Sequence, residues 1–102
     1  MYNMIVVISI KEKKIMIEKV WNNIIMHVGE QFKTISGLPF TYEMIDDHTI
    51  APIRNGEKKW PLSKNLFEKA LSYKDYSSQD FNNRIIGSSY VRGLLEDERI
   101  IE

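Results

Sequence analysis

Apolar residues recur at helical spacing between positions 17 and 28 and at strand spacing from position 40 onward, and this change of period predicts the fold. Ile17, Val20, Trp21, Ile24, Ile25 and Val28 follow the i, i+3, i+4, i+7, i+8, i+11 series of one buried helical stripe. Gly29 is a suitable stop, because glycine enters the left-handed region without a Cβ clash. Phe40, Tyr42 and Met44 then alternate with Thr41, Glu43 and Ile45, the period of a half-buried strand. Asn55-Gly56 is a strong hairpin signal, since both positions of a two-residue turn require positive φ. Asp46-Asp47 marks a second turn. The pattern therefore predicts strands over 39–45, 48–54 and 57–60, preceded by a short strand over 32–35 and a turn at Ser36-Gly37-Leu38-Pro39. Pro52 predicts that the middle strand is irregular or exposed on its N–H side.

A meander of this size needs helices against one face. After Pro61-Leu62-Ser63, with Ser63 as N-cap, a helix begins at Lys64 and presents Leu66, Phe67, Ala70 and Leu71. Residues 73–79 form a polar connection. A short helix over 80–86 buries Phe81, Ile85 and Ile86, and Gly87 breaks it. Ser88 or Ser89 caps a last helix over 90–96, with Val91, Leu94 and Leu95 inward, and the tail folds back through Ile100 and Ile101. The expected class is α+β: an N-terminal amphipathic helix, a small antiparallel meander and two or three short C-terminal helices, in one domain over residues 1–102.

The first fifteen residues admit two expectations. Tyr2-Asn3-Met4-Ile5-Val6-Val7-Ile8-Ser9-Ile10 reads as an additional strand, too short to span a bilayer and without the basic leader of a signal peptide. Ser9 and Glu12 have capping-box spacing. Alternatively, Lys11-Glu12-Lys13-Lys14-Ile15-Met16 is a translated ribosome-binding region and Met16 the native start, which intact-mass measurement of the native protein decides.

Composition changes this picture little. At 43% hydrophobic and 27% charged, the chain has ordinary globular composition. Without cysteine there is no disulfide, thiol nucleophile or thiolate metal site, which suits a cytoplasmic setting. Fourteen basic residues balance fourteen acids, so no global field favours nucleic acid. The balance is uneven, however. Residues 49–76 carry six basic side chains against Glu57, Glu68 and Asp75, a net of +3, whereas residues 29–48 stand at −3.

The chemistry is sparse. An acid followed by Glu57-Lys58-Lys59 has the form of a metal-dependent nuclease site. The predicted strands oppose it, because they put Asp46 and Asp47 at one end of the middle strand and Glu57 at the other. Asp46-Asp47-His48 reads as a polar turn, since consecutive strand residues point to opposite faces. His27 lies at the border of the apolar stripe, with no partner at metal-ligand spacing. Neither a catalytic residue, a metal site nor a cofactor is expected.

Two clusters favour binding. Lys58, Lys59, Trp60 and Lys64 mix basic and aromatic groups near a hairpin. Arg84, Ser88, Ser89, Tyr90 and Arg92 surround a glycine at a helix start, where free backbone N–H groups attract anions. These nine residues are the expected contacts to nucleic acid or to a host protein.

Gly37-Leu38-Pro39-Phe40-Thr41-Tyr42, Leu62-Ser63-Lys64, Phe67-Glu68-Lys69-Ala70-Leu71, Gly87-Ser88-Ser89-Tyr90-Val91 and Glu96-Asp97-Glu98-Arg99-Ile100 resemble segments of a family of small uncharacterised bacterial and phage proteins, over residues 16–100. The family brings no established activity. The phage and mobile-DNA settings that the resemblance implies suit nucleic-acid binding and interference with a host protein alike; a non-catalytic nucleic-acid-binding module is the first expectation, and a protein-interaction module or inhibitor of a host protein the alternative.

Overall fold

In the computed structural model, which describes residues 10–102 with side chains from Met16 onward, the first element is helix α1 (Ile10–Met26). The strand expected from Tyr2 and the cap expected at Ser9 lie outside the described residues. Ile17, Val20, Trp21 and Ile24 are buried, but Ile25 and Val28 are 41% and 42% exposed. The stripe is narrower than its spacing suggests, for two reasons. Ile25 lies about 100° around the helix from Ile24 and falls on the flank. Val28 sits beyond the helix, in the turn that Gly29 completes at φ 89°. The Gly29 N–H then donates to the Tyr42 carbonyl at 3.3 Å and carries the chain into the sheet.

The described residues contain an antiparallel sheet of β1 (Phe32–Lys33), β2 (Pro39–Asp46), β3 (Thr49–Arg54), β4 (Glu57–Lys58) and β5 (Leu62–Ser63). The path runs β1-β2-β3-β4, and β5 pairs with β3 on the edge that β4 also uses. Asn55 at φ 55° and Gly56 at φ 78° make the expected tight turn between β3 and β4. The last strand of the meander is shorter than 57–60. It stops at Lys58, and the chain returns to β3 two residues after Trp60 as β5. The turn after β2 is closed by the His48 N–H donating to Asp46 Oδ1 at 2.8 Å, a bond that holds this carboxyl below its usual range. A bulge between Met44 and Asp46 precedes it.

Pro52 is buried, and β3 continues through it. The Pro52 carbonyl accepts from the Lys59 N–H at 2.7 Å, so its missing N–H faces the same edge, at the break between β4 and β5. Pro52 faces Lys59 across this edge and cannot return the bond it accepts, so the ladder is one bond short where β4 ends.

Four short helices follow, one more than expected: α2 (Lys64–Leu71), α3 (Gln79–Arg84), α4 (Ser88–Leu95) and α5 (Glu98–Ile101). Ser63 caps α2 by accepting from the Leu66 N–H at 3.2 Å. Ser78 caps α3 in the same way, and α3 ends before Ile86, which is 65% exposed rather than buried. Neither Ser88 nor Ser89 caps α4. The cap is Gly87, left-handed at φ 65°, whose carbonyl accepts from the N–H groups of Tyr90 and Val91. The tail does fold back, but only Ile100 is buried and Ile101 is half exposed.

One core unites these elements. Trp21 of α1 meets Phe67 of α2 at 5.6 Å between ring centroids, and its indole N–H donates to the Asp47 carbonyl at 2.8 Å. The buried Tyr42 hydroxyl donates to the Ile24 carbonyl at 2.6 Å, and burial pushes its pKa up. Phe81 lies between Tyr73 and Tyr76 and holds α3 and the loop before it. Gly93 of α4 rests on the backbone of β1, where an added Cβ would overlap the Lys33 carbonyl oxygen.

Candidate functional site

Lys58, Lys59, Trp60 and Pro61 carry the chain across the break between β4 and β5. This crossing turns Trp60 away from the core, and its side chain is 70% exposed. The Lys59 N–H stays bound to Pro52, so the crossing is anchored beneath the indole. Lys58, Lys59 and Trp60 line a cavity of about 260 Å³. Lys58 Nζ lies 2.7 Å from Glu43 Oε2, and Lys59 Nζ lies 3.5 Å from Glu57 Oε1. Both carboxylates are exposed, so these are surface pairs, each contributing about 0–1 kcal/mol and open to exchange.

The other expected contacts are arranged differently. Lys64 lies 2.6 Å from Glu18, with little of its side chain exposed, and ties the start of α2 to α1. Arg84 reaches Asp80 at 2.8 Å and Arg92 reaches Glu96 at 2.7 Å, each one turn away on its own helix. Tyr90 is half-buried and meets Phe40 edge-on at 5.0 Å, so its ring packs against the core. Ser88 and Ser89 occupy the first turn of α4. Gly87 packs against the buried Leu62 of β5, where a Cβ would lie 2.9 Å from Leu62 Cδ2. Lys58, Lys59 and Trp60 form one surface. Both arginines face acids of their own helices.

The acids of the nuclease-like pattern do not converge. The β2–β3 register pairs Asp46 with Thr49, and the β3–β4 register pairs Arg54 with Glu57, at opposite ends of β3. A six-residue strand separates them by about 17–20 Å. Among the described residues, no three His, Cys, Asp or Glu side chains are grouped to hold a metal ion. His27 Nδ1 lies 2.7 Å from Glu30 Oε2.

That contact belongs to a cluster that local patterns do not reveal. Arg99 meets Asp97 through Nε at 3.0 Å and Nη2 at 2.9 Å, donates to Glu30 at 3.2 Å and to the Gln31 carbonyl at 3.0 Å, and lies 3.9 Å from the Phe32 ring centroid. Asn23 adds a bond to the Ile100 carbonyl at 2.8 Å, so α5 is pinned to α1 and to the loop before β1. The hydrogen bond from Arg99 lowers the Asp97 pKa, and bonds from His27 and then Arg99 lower that of Glu30. Carboxyls depressed in the folded state stabilise it above their unfolded pKa, about 4, and that stabilisation is lost as pH falls through the folded values. Arg99→Ala is expected to cost about 1–2 kcal/mol at neutral pH, discounted for exposure. Urea titrations should show this difference shrinking below about pH 4. A gap independent of pH would assign the effect to the ring contact alone.

No helix among the described residues is long and apolar enough to cross a membrane. No family model, curated protein or solved structure matches the chain.

Proposed function

We propose that the chain is a protein-interaction module that docks a partner protein on the surface centred on Trp60. The observation that carries this is the indole itself, 70% exposed on a crossing fixed by the sheet beneath it. Tryptophan is enriched among binding hot spots, and on a rigid support it buries a large area at little entropic cost. The mixed charge around it suits a protein partner better than a polyanion. Each cation expected to meet phosphate, namely Lys58, Lys59, Lys64, Arg84 and Arg92, already has a carboxylate partner. Glu43 and Glu57 would also flank any phosphate drawn to the site.

Nucleic-acid binding is the second reading. It is favoured by the grouping of Lys58 and Lys59 with Trp60, on which a base can stack while the lysines exchange their surface pairs for phosphate. Pulldown from host lysate with the wild-type chain and Trp60→Ala, with and without nuclease, separates the two. A complex that survives nuclease and disappears with Trp60→Ala supports the protein partner. A complex lost on nuclease treatment, together with low-salt retardation of oligonucleotides, favours the second reading. Equal capture by both chains overturns the site.

A further inference from the structure

We propose that Asn55 is a self-modification site, at which the chain slowly converts its own asparagine to aspartate or isoaspartate. The inference stands apart from the docking surface. Asn55 is followed by glycine, and each of the other six asparagines precedes a residue with a side chain. Both turn residues are exposed, and a Cβ built on Gly56 meets nothing within 4 Å. The residues paired across the turn are Arg54 and Glu57, so the Gly56 N–H is outside the β3–β4 pairing. Nucleophile and electrophile thus sit on adjacent residues, open to water.

The chemistry balances without any redox partner. Hydroxide removes the Gly56 amide proton, and the nitrogen attacks Asn55 Cγ. A new C–N bond closes a five-membered succinimide, and the side-chain nitrogen leaves as ammonia. Water then opens the ring at either carbonyl. Opening at the backbone carbonyl gives isoaspartate, and opening at the former side-chain carbonyl gives aspartate. Both add a carboxylate, ionised at neutral pH, to the tip next to Arg54. They differ in their effect on the hairpin. Aspartate keeps the backbone length and suits the same turn. Isoaspartate routes the main chain through the side-chain carbon, so β4 must shift against β3, and the Lys58-Trp60 crossing shifts with it.

The test is peptide mapping of the full-length chain after prolonged incubation, folded and in urea, at neutral and mildly alkaline pH. The expected result is a mass shift equal to replacing NH by O, confined in the folded chain to the Asn55 peptide, resolved into two forms and faster at higher pH. The Asn55→Gln variant should lose it. In the isoaspartate fraction, but not in the Asn55→Asp variant, acrylamide quenching of Trp60 should change. Conversion in urea without conversion in the folded chain would overturn the proposal, because the turn would then protect the residue. Earlier conversion of another asparagine in the folded chain would overturn it as well.

Discussion

Gly93→Ala is expected to lower folding stability by about 3 kcal/mol, the upper end for forcing a methyl group into a packed site. The expected sign runs against helix propensity, which favours alanine over glycine inside a helix by about 1 kcal/mol. Sterics decide, because the added Cβ would overlap the Lys33 carbonyl oxygen and lie 3.3 Å from Thr34 Cα. These are backbone atoms, and no side-chain rotation relieves them. Helix α4 would have to lift off β1 and take the buried Val91, Leu94 and Leu95 with it. In a domain of this size the melting temperature should fall by roughly 12–24 °C. Gly37→Ala is the control. Gly37 has φ 90° but nothing within 4 Å of its Cβ position, so only left-handed strain of about 1–2 kcal/mol applies. Urea unfolding of both variants measures the difference. A Gly93→Ala protein as stable as the parent would mean that α4 and β1 are not in contact.

Trp60→Ala should produce the largest loss of partner binding with the smallest structural cost. If Trp60 is the central anchor, its truncation removes at least 2 kcal/mol of binding energy, about a thirtyfold rise in Kd. Stability should change by no more than about 0.5 kcal/mol, because the side chain is already in water. Trp21→Ala is the contrast: its indole is buried against Phe67, and the loss should be about 3–5 kcal/mol of folding stability. Lys58→Ala and Lys59→Ala should weaken a protein partner only slightly, since their ion pairs are exposed. With a nucleic acid, each would instead flatten the dependence of affinity on salt. Titration of the isolated partner against Trp60→Ala, Lys58→Ala and Lys59→Ala at several salt concentrations reads the binding, and urea unfolding of the two tryptophan variants reads the stability. Unchanged affinity for Trp60→Ala would remove the indole from the interface.

What could be read from the chain was local. Ile17, Val20, Trp21 and Ile24 repeat at one period and lie on one buried face. Asn55-Gly56 and Ser63 encode their turn and cap in their own backbone and side-chain preferences. The errors arose where a distant partner decides. Leu62-Ser63 has no periodicity, and β5 exists only because β3 offers an edge to it. Ser88 and Ser89 resemble caps, but Gly87 enters the left-handed region first and starts the helix earlier. Arg99 and Glu30 are 69 positions apart, so no spacing rule links them. The candidate site was legible in part. Lys58, Lys59 and Trp60 are neighbours along the chain and remain together in the fold. The exposure of Trp60 was not legible, because it depends on where β4 stops. The candidate cations pair with acids brought in by the fold (Glu43, Glu18), one helical turn away (Asp80, Glu96) or, for Lys59, two residues back along the chain (Glu57).

The split edge of β3 has a consequence for how this molecule behaves at high concentration. A continuous row of free amides invites a neighbouring molecule to add a strand and then another, and fibrils grow in this way. Here the border is divided into two two-residue pieces, and the gap between them holds Lys59, Trp60 and Pro61, the last of which has no amide hydrogen to offer. An incoming strand would find no template longer than a couple of residues. The bend that pushes Trp60 outward thus also interrupts this border of the sheet as a place to polymerise.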